Sequence, residues 1–366
     1  MQTNRRNLIK QISLAIVGIG IAPIKDFAFP MNLSSDESGN NPIRLSSNEN
    51  PYGPSPLALS AMASSIKMSN RYSWNITKDL ISAIAKKNNA TVENVLIGAG
   101  STELINVIIE YLAFQKGSFI VANPSYTNWT NTASNLGLKK ISVPLTIDKR
   151  IDLKAMLSAI EPDTKMIYVC NPNNPTGTIC EHEALVSFIK EATKKVTVLV
   201  DEAYLDFTKE TSLCNLAIEN KNLIVLKTFS KIYGMAGARI GYGIAQSDTI
   251  NQISLMQSWA NGGVSVVSRA GAIASLKDDD FVRQCYAKNE AVRKYTIEQL
   301  ELLNISCILS NTNFIYLSLS KYKKDFFELL KANNIQGTNI YEEDGKWTRI
   351  TVGTMQEMQK FISAIE

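Results

Sequence analysis

Short apolar runs punctuate the chain at residues 95–97, 119–122, 141–144, 166–170, 197–200, 223–226 and 239–244. Their length and their Val, Ile and Leu content predict seven buried strands. Between several of them, at 102–114, 153–160 and 181–193, apolar residues recur every third or fourth position, the period of a helix with one buried face. Strands alternating with such helices predict an α/β domain built on a mainly parallel sheet of seven strands. After Asp278 the pattern changes to a long charged helix reaching residue 303, strand-like runs at 305–309 and 314–319, a helix, a run at 347–352 and a last helix. That sequence of elements predicts a smaller α+β C-terminal domain. Residues 33–56 are polar and rich in Asn, Ser and Pro, which suits an extended arm.

Composition adds mainly exclusions. With 366 residues the chain can bury a large core, and its apolar fraction of 45% and charged fraction of 20% are those of ordinary globular proteins. The net charge is only +4 and the basic residues are interspersed with acidic ones, so no nucleic-acid partner is expected. Five cysteines lie far apart without a C-x-x-C pair and read as core residues. A single histidine, His182, leaves no material for a histidine-based triad or metal site, so no metal is expected. That absence turns the search towards lysine and a bound cofactor.

The first thirty residues stand apart. Arg5-Arg6, two apolar residues shortly after them, Lys10 and an apolar run from 12 to 24 resemble a bacterial twin-arginine export signal. Leu8 stands where Phe is preferred, and no clean small-residue cleavage site follows, so the alternative is a basic amphipathic start with an uncleaved anchor. The run is too short to span a bilayer comfortably, so no stable membrane span is expected in the mature protein. Such a signal, which exports folded proteins, would place the chain in the periplasm or beyond; without it the chain would be cytoplasmic.

Ligands of open parallel sheets bind beyond the carboxyl ends of the strands, so residues just after each run carry the chemistry. Gly98-Ala99-Gly100-Ser101-Thr102-Glu103 is a strand end, a glycine turn and a helix start, which gathers free backbone N–H groups and a positive dipole end into a phosphate cup. It lacks the third glycine of a dinucleotide fingerprint and the lysine of a P-loop. Asn171-Pro172-Asn173-Asn174-Pro175-Thr176-Gly177 follows the run at 166–170. Asp201 closes another apolar run, at the head of Asp201-Glu202-Ala203-Tyr204; a buried carboxylate is costly without a cationic partner or donor. Thr228-Phe229-Ser230-Lys231 follows the run at 223–226, and Arg239 comes shortly after. One lysine among hydroxyls with an arginine nearby offers an amine for a Schiff base and ligands for a phosphate.

These motifs, in this order, resemble the class I/II aminotransferases of pyridoxal-phosphate (PLP) fold type I, in the branch of the histidinol-phosphate aminotransferases. Asn48-Glu49-Asn50-Pro51-Tyr52-Gly53-Pro54, Arg71-Tyr72, Pro124-Ser125-Tyr126 and Thr348-Arg349-Ile350-Thr351-Val352-Gly353 match as well, so the resemblance runs from Leu45 to the C-terminus. With the export signal (1–30), the expected division is an N-terminal arm (31–70), a large PLP-binding domain (71–265) and a small C-terminal domain (266–366). The resemblance implies that Lys231 holds the cofactor as a Schiff base and then shuttles the substrate's α-proton. Asp201 would pair with the ring nitrogen, Tyr126 would stack on the ring, and Asn174 and Tyr204 would bond its oxygen. Gly100, Ser101, Thr102, Thr228, Ser230 and Arg239 would bind the cofactor phosphate. Tyr72 would reach the phosphate in the other subunit of a homodimer with shared sites. Arg349, with Asn174 and Tyr52, would hold the substrate, Arg349 clamping its carboxylate.

One position departs from the branch. Where its members carry an arginine for the substrate's phosphate, an ungapped placement puts Thr338. The expected reaction is thus transfer of the amino group of an L-amino acid to a 2-oxo acid, with a substrate that is not phosphorylated. The alternatives are a PLP-dependent decarboxylase or lyase, which would break a different bond at the same carbon, and an exported binding protein without catalysis. Presence of both Lys231 and Asp201 speaks against the latter, and the missing glycine fingerprint against a nicotinamide dehydrogenase.

Overall fold

The computed structural model describes residues 41–366; the expected export signal and the first ten residues of the arm lie outside the described residues. Twelve strands follow in chain order: β1 (Ile43–Arg44), β2 (Val95–Gly98), β3 (Gly117–Asn123), β4 (Leu138–Pro144), β5 (Thr164–Cys170), β6 (Thr197–Asp201), β7 (Leu223–Thr228), β8 (Gly241–Ile244), β9 (Ser306–Cys307), β10 (Phe314–Ser318), β11 (Ile335–Gln336) and β12 (Trp347–Thr351). Seven of them form one sheet in the order β2-β8-β7-β6-β5-β3-β4. Only β8 runs antiparallel to its neighbours, so the expected mainly parallel sheet is present.

The side chains of the central strands sort onto two faces by the two-residue period of a strand. Ile167, Val169, Val198, Val200, Leu223 and Val225 join one apolar cluster. Tyr168, Leu199, Ile224 and Leu226, which alternate with them, join another. The helices Trp74–Lys87 and His182–Ala192 cover the first face, and Ser101–Ala113 covers the second. Because both faces are covered, the strand sequences read as continuous apolar runs with no polar side.

A third cluster surrounds the antiparallel sheet β12-β10-β9 and includes Leu300, Ile315, Ile350 and Phe361. Core packing changes over along the helix Asp279–Leu302, where Cys285 belongs to the first cluster and Val292 to the third. The helix Val266–Ser275, which falls at the start of the expected small domain (266–366), packs against Pro56–Ser65 and Trp74–Lys87. The arm is likewise more regular than its composition implies. Its β1 pairs in parallel with β11, and Ser55 caps the helix Pro56–Ser65 by accepting from Ala58 N. Among the described residues no helix is long and apolar enough to cross a membrane.

Candidate active site

The parallel strands end on one side, and the segments leaving them converge there. Asp201 is the last residue of β6, the loop 171–177 leaves β5, and the segment 229–231 leaves β7. The turn after β2 opens the helix Ser101–Ala113, and β12 brings Arg349 from the second sheet. Together with Ser46, Ser47, Asn48 and Glu49 of the arm, they enclose a cavity of about 580 Å³.

One end of the cavity is built for a phosphate. Ser101 and Thr102 begin a thirteen-residue helix whose first N–H groups have no partner within the helix. Gly100 precedes it with a positive φ of 83°, and a Cβ there would lie 2.5 Å from Arg239 Nη2. A Cβ on Gly241 would lie 2.6 Å from Ser101 N. The arginine and the strand below it thus come so close to the turn that only glycine fits at either position. Arg239 Nη1 donates to Ala236 O at 3.0 Å and to Ser230 Oγ at 3.4 Å, and Thr228 Oγ1 donates to Ser230 Oγ at 2.9 Å. Glu103 accepts from Ala99 N, which fixes the turn from beneath.

The same cavity holds a buried carboxylate. Asp201 is buried, with Tyr168 donating its hydroxyl to Oδ2 at 2.8 Å and Ala203 N donating to Oδ1 at 3.0 Å. Burial pushes its pKa up and the two hydrogen bonds oppose that shift. A ring cation at this point would compensate the buried charge. Tyr126, whose hydroxyl is 3.3 Å from Thr102 Oγ1, and Tyr204 line the cavity too. Tyr204 Oη accepts from Asn48 Nδ2 at 3.0 Å and from Asn174 Nδ2 at 3.3 Å, and burial pushes its phenol up so that it keeps its proton.

Lys231 Nζ lies 5.5 Å above the Tyr204 ring and donates to Ser47 O at 3.1 Å. Its pKa is lowered to about 8, first by burial and then by the nearby guanidinium of Arg349. Arg349 is buried; its Nη1 donates to Asn174 Oδ1 and its Nη2 to Ser46 O, both at 2.5 Å. Its Nε is buried without an acceptor among the described residues, an orphan that a carboxylate or similar anion would satisfy.

The predicted site residues therefore meet in one place, with two exceptions. Tyr72 is 71% exposed and packs edge-on against Trp259 at 4.7 Å, away from the cavity. Tyr52, expected to hold substrate, lies under Lys288 Nζ at 4.7 Å and lines a separate cleft with Cys285 and Asn289. Thr338 does not line the cavity; its Oγ1 donates to Arg349 O at 2.7 Å and accepts from Arg349 N at 3.2 Å. Sequence reasoning gave no role to Asn48, Glu49 or Tyr341, all of which line the cavity. The match over residues 48–54 was the signal for the first two; nothing local marks Tyr341.

The profile of the family described as aminotransferase class I and II matches residues 40–365. The chain belongs to that family. A histidinol-phosphate aminotransferase from Moorella thermoacetica is 35% identical over 328 residues, covering 88% of this chain and 84% of the relative. Another from Methanosphaera stadtmanae is 34% identical over 333 residues, covering 88% and 89%. The crystal structure of histidinol-phosphate aminotransferase from Sinorhizobium meliloti in complex with pyridoxal-5'-phosphate matches with a TM-score of 0.80 and 26% identity, over 88% of this chain and 89% of that one. The chain is accordingly a PLP-dependent aminotransferase of fold type I. The cavity fits the group end to end, with the glycine turn and Arg239 suited to its phosphate, Asp201 to its ring nitrogen and Lys231 to its aldehyde.

Lysine must be neutral to take up an aldehyde, so capture of PLP by the cofactor-free protein depends on the Lys231 pKa. Stopped-flow absorbance should show the capture rate rising through about pH 8 and levelling above it. A rise that tracks the ordinary lysine value of 10.5 contradicts the arrangement.

Proposed function

We propose that this aminotransferase acts as a homodimer on an L-amino acid with a free α-carboxylate and no phosphate, and that it is exported by the twin-arginine route. Charge accounting supports the substrate reading. The cationic side chains lining the cavity, among the described residues, are Lys231, Arg239 and Arg349. Lys231 is committed to the aldehyde and Arg239 to the cofactor phosphate, which leaves Arg349 for one substrate anion. The relatives are named for a phosphorylated amine, but Thr338 brings no charge and its hydroxyl is engaged on the Arg349 backbone.

When bound, PLP supplies an electron sink for negative charge at the substrate's α-carbon. The protein's own groups do the rest. Arg349, braced by Asn174 and Ser46, orients the carboxylate, which favours release of the α-proton over loss of carbon dioxide. Lys231, with a pKa of about 8, can be neutral enough to accept that proton and charged enough to return it. Asp201 keeps a proton on the ring nitrogen. Tyr204, held by Asn48 and Asn174, presents a neutral hydroxyl.

The homodimer reading rests on Tyr72. Its exposed ring forms an aromatic patch with Trp74, 40% exposed, and Trp259, 48% exposed, and a second copy would bury all three. The partner subunit's Tyr72 would then complete the phosphate cup. Arg5 and Arg6 support the export reading.

The observation that carries the substrate reading is the buried, orphaned Nε of Arg349. Steady-state kinetics over a panel of L-amino acids, with 2-oxo products identified by mass, tests it. Arg349→Ala should raise KM for the best donor by about a hundredfold, the loss of a buried charge-assisted pair; an unchanged KM excludes the clamp. Mixing inactive Lys231→Ala with Tyr72→Ala subunits should restore activity through hybrid dimers with one intact site, and no recovery contradicts shared sites. Replacing Arg5 and Arg6 by Lys should strand the enzyme in the cytoplasmic fraction; unchanged export refutes that route.

A further inference from the structure

Arg349 is gripped by more than hydrogen bonds. Its guanidinium carbon lies 5.4 Å from the Phe314 ring centre and 5.6 Å from that of Tyr341. Phe314 is fully buried in β10 and is itself packed edge-on by Tyr204 at 5.0 Å. Tyr341 is 41% exposed and lines the cavity, so it is the ring on the solvent side of the guanidinium.

Tyr341 sits in the connection between β11 and β12, and a chain of contacts fixes it there. Its backbone N–H donates to Trp347 O at 2.8 Å, and its ring meets Tyr316 edge-on at 6.2 Å. Tyr316 stacks on Trp347 at 5.1 Å and donates its hydroxyl to Glu342 Oε1 at 2.7 Å. Glu342, the residue after Tyr341, pairs through Oε2 with Lys149 Nζ at 2.8 Å. Lys149 comes from the turn that follows β4 of the large sheet, and its Nζ also lies 5.1 Å over the Trp347 ring. Its carbonyl accepts from Thr178 Oγ1 at 2.9 Å, which ties the same turn to the segment following the loop that carries Asn174. Both ends of the Lys149–Glu342 pair are mostly buried, at 17% and 23% side-chain exposure, so bulk salt screens it less than a surface pair.

We propose that Tyr341 is a positioning residue for the substrate, covering the Arg349 guanidinium from solvent, and that the Lys149–Glu342 ion pair holds Tyr341 in place. The ring face attracts the cation and fixes its plane. The same ring keeps water off the site where the carboxylate docks, which strengthens that pair. The proposal rests on Arg349 being the carboxylate clamp.

Steady-state kinetics of the holoenzyme variants, with the fastest donor of the amino-acid panel, tests both ideas separately. Tyr341→Ala should raise KM about tenfold while kcat changes less than about threefold, and Tyr341→Phe, which keeps the ring, should behave as wild type. Lys149→Met should raise KM about threefold in the same direction. On an Arg349→Ala background, Tyr341→Ala should add less than about twofold, because the group it positions is gone. If Tyr341→Ala loses the visible absorbance of bound cofactor, Tyr341→Leu, which preserves bulk without an aromatic face, replaces it with the same expected KM. An unchanged KM in these variants while Arg349→Ala raises it overturns the proposal alone. Independent, multiplying penalties in the double variant also overturn it. An unchanged KM in Arg349→Ala removes the carboxylate clamp itself and the proposal with it.

Discussion

The site depends on a carboxylate placed where a carboxylate is expensive. Asp201 ends a central strand with apolar strands on both sides, and two hydrogen-bond donors only partly replace the water it has lost. Its raised pKa carries a linkage consequence. The cofactor-free fold binds more protons at this position than the unfolded chain does, so it loses stability as pH climbs through the carboxylate range. A cation beside Asp201 removes that penalty. The ring nitrogen of the cofactor would be such a cation, so the cost of burying Asp201 would favour cofactor binding.

The remaining groups reach the same cavity from both sheets. The large sheet supplies the glycine turn, Asp201 and Lys231 from segments at or just after the carboxyl ends of β2, β6 and β7. The second sheet supplies Arg349, and Asn174 joins the two by accepting from Arg349 and donating to Tyr204. Asn48, from the arm, donates to the same phenol, and its backbone N–H donates to Thr351 Oγ1 on the strand carrying Arg349. Arg349, Asn174, Tyr204, Asn48 and Thr351 are thus one hydrogen-bonded unit drawn from distant parts of the chain.

Much of this was legible in the sequence because buried parallel strands are uniformly apolar and their chemistry follows their ends. The runs at 197–200 and 223–226 located Asp201 and Lys231 without reference to packing. The run at 239–244 was read two residues too long at its start, since Arg239 takes a left-handed turn at φ 50° to reach the cup and β8 begins only at Gly241. The helix Pro56–Ser65 was read as part of an arm because its alternating Ala, Ser and Leu give almost no polar contrast, although Ser55 and Pro56 form a capping signal. Tyr341 was invisible because its role comes from a strand pairing and an ion pair that join residues 149, 316 and 342, and no local spacing encodes that meeting. Tyr52 was assigned to the substrate from a motif match, whereas packing under Lys288 places it in another cleft.

The most direct test of the central claim compares thermal unfolding of wild type and Asp201→Asn, each with and without PLP. Removing a buried charge should leave the cofactor-free variant at least as stable as wild type, while the cofactor-induced rise in Tm should shrink by several degrees, about 5 °C or more. An equal rise in both proteins, or a cofactor-free variant that melts well below wild type, would contradict the idea that Asp201 is a buried charge held for the cofactor's ring.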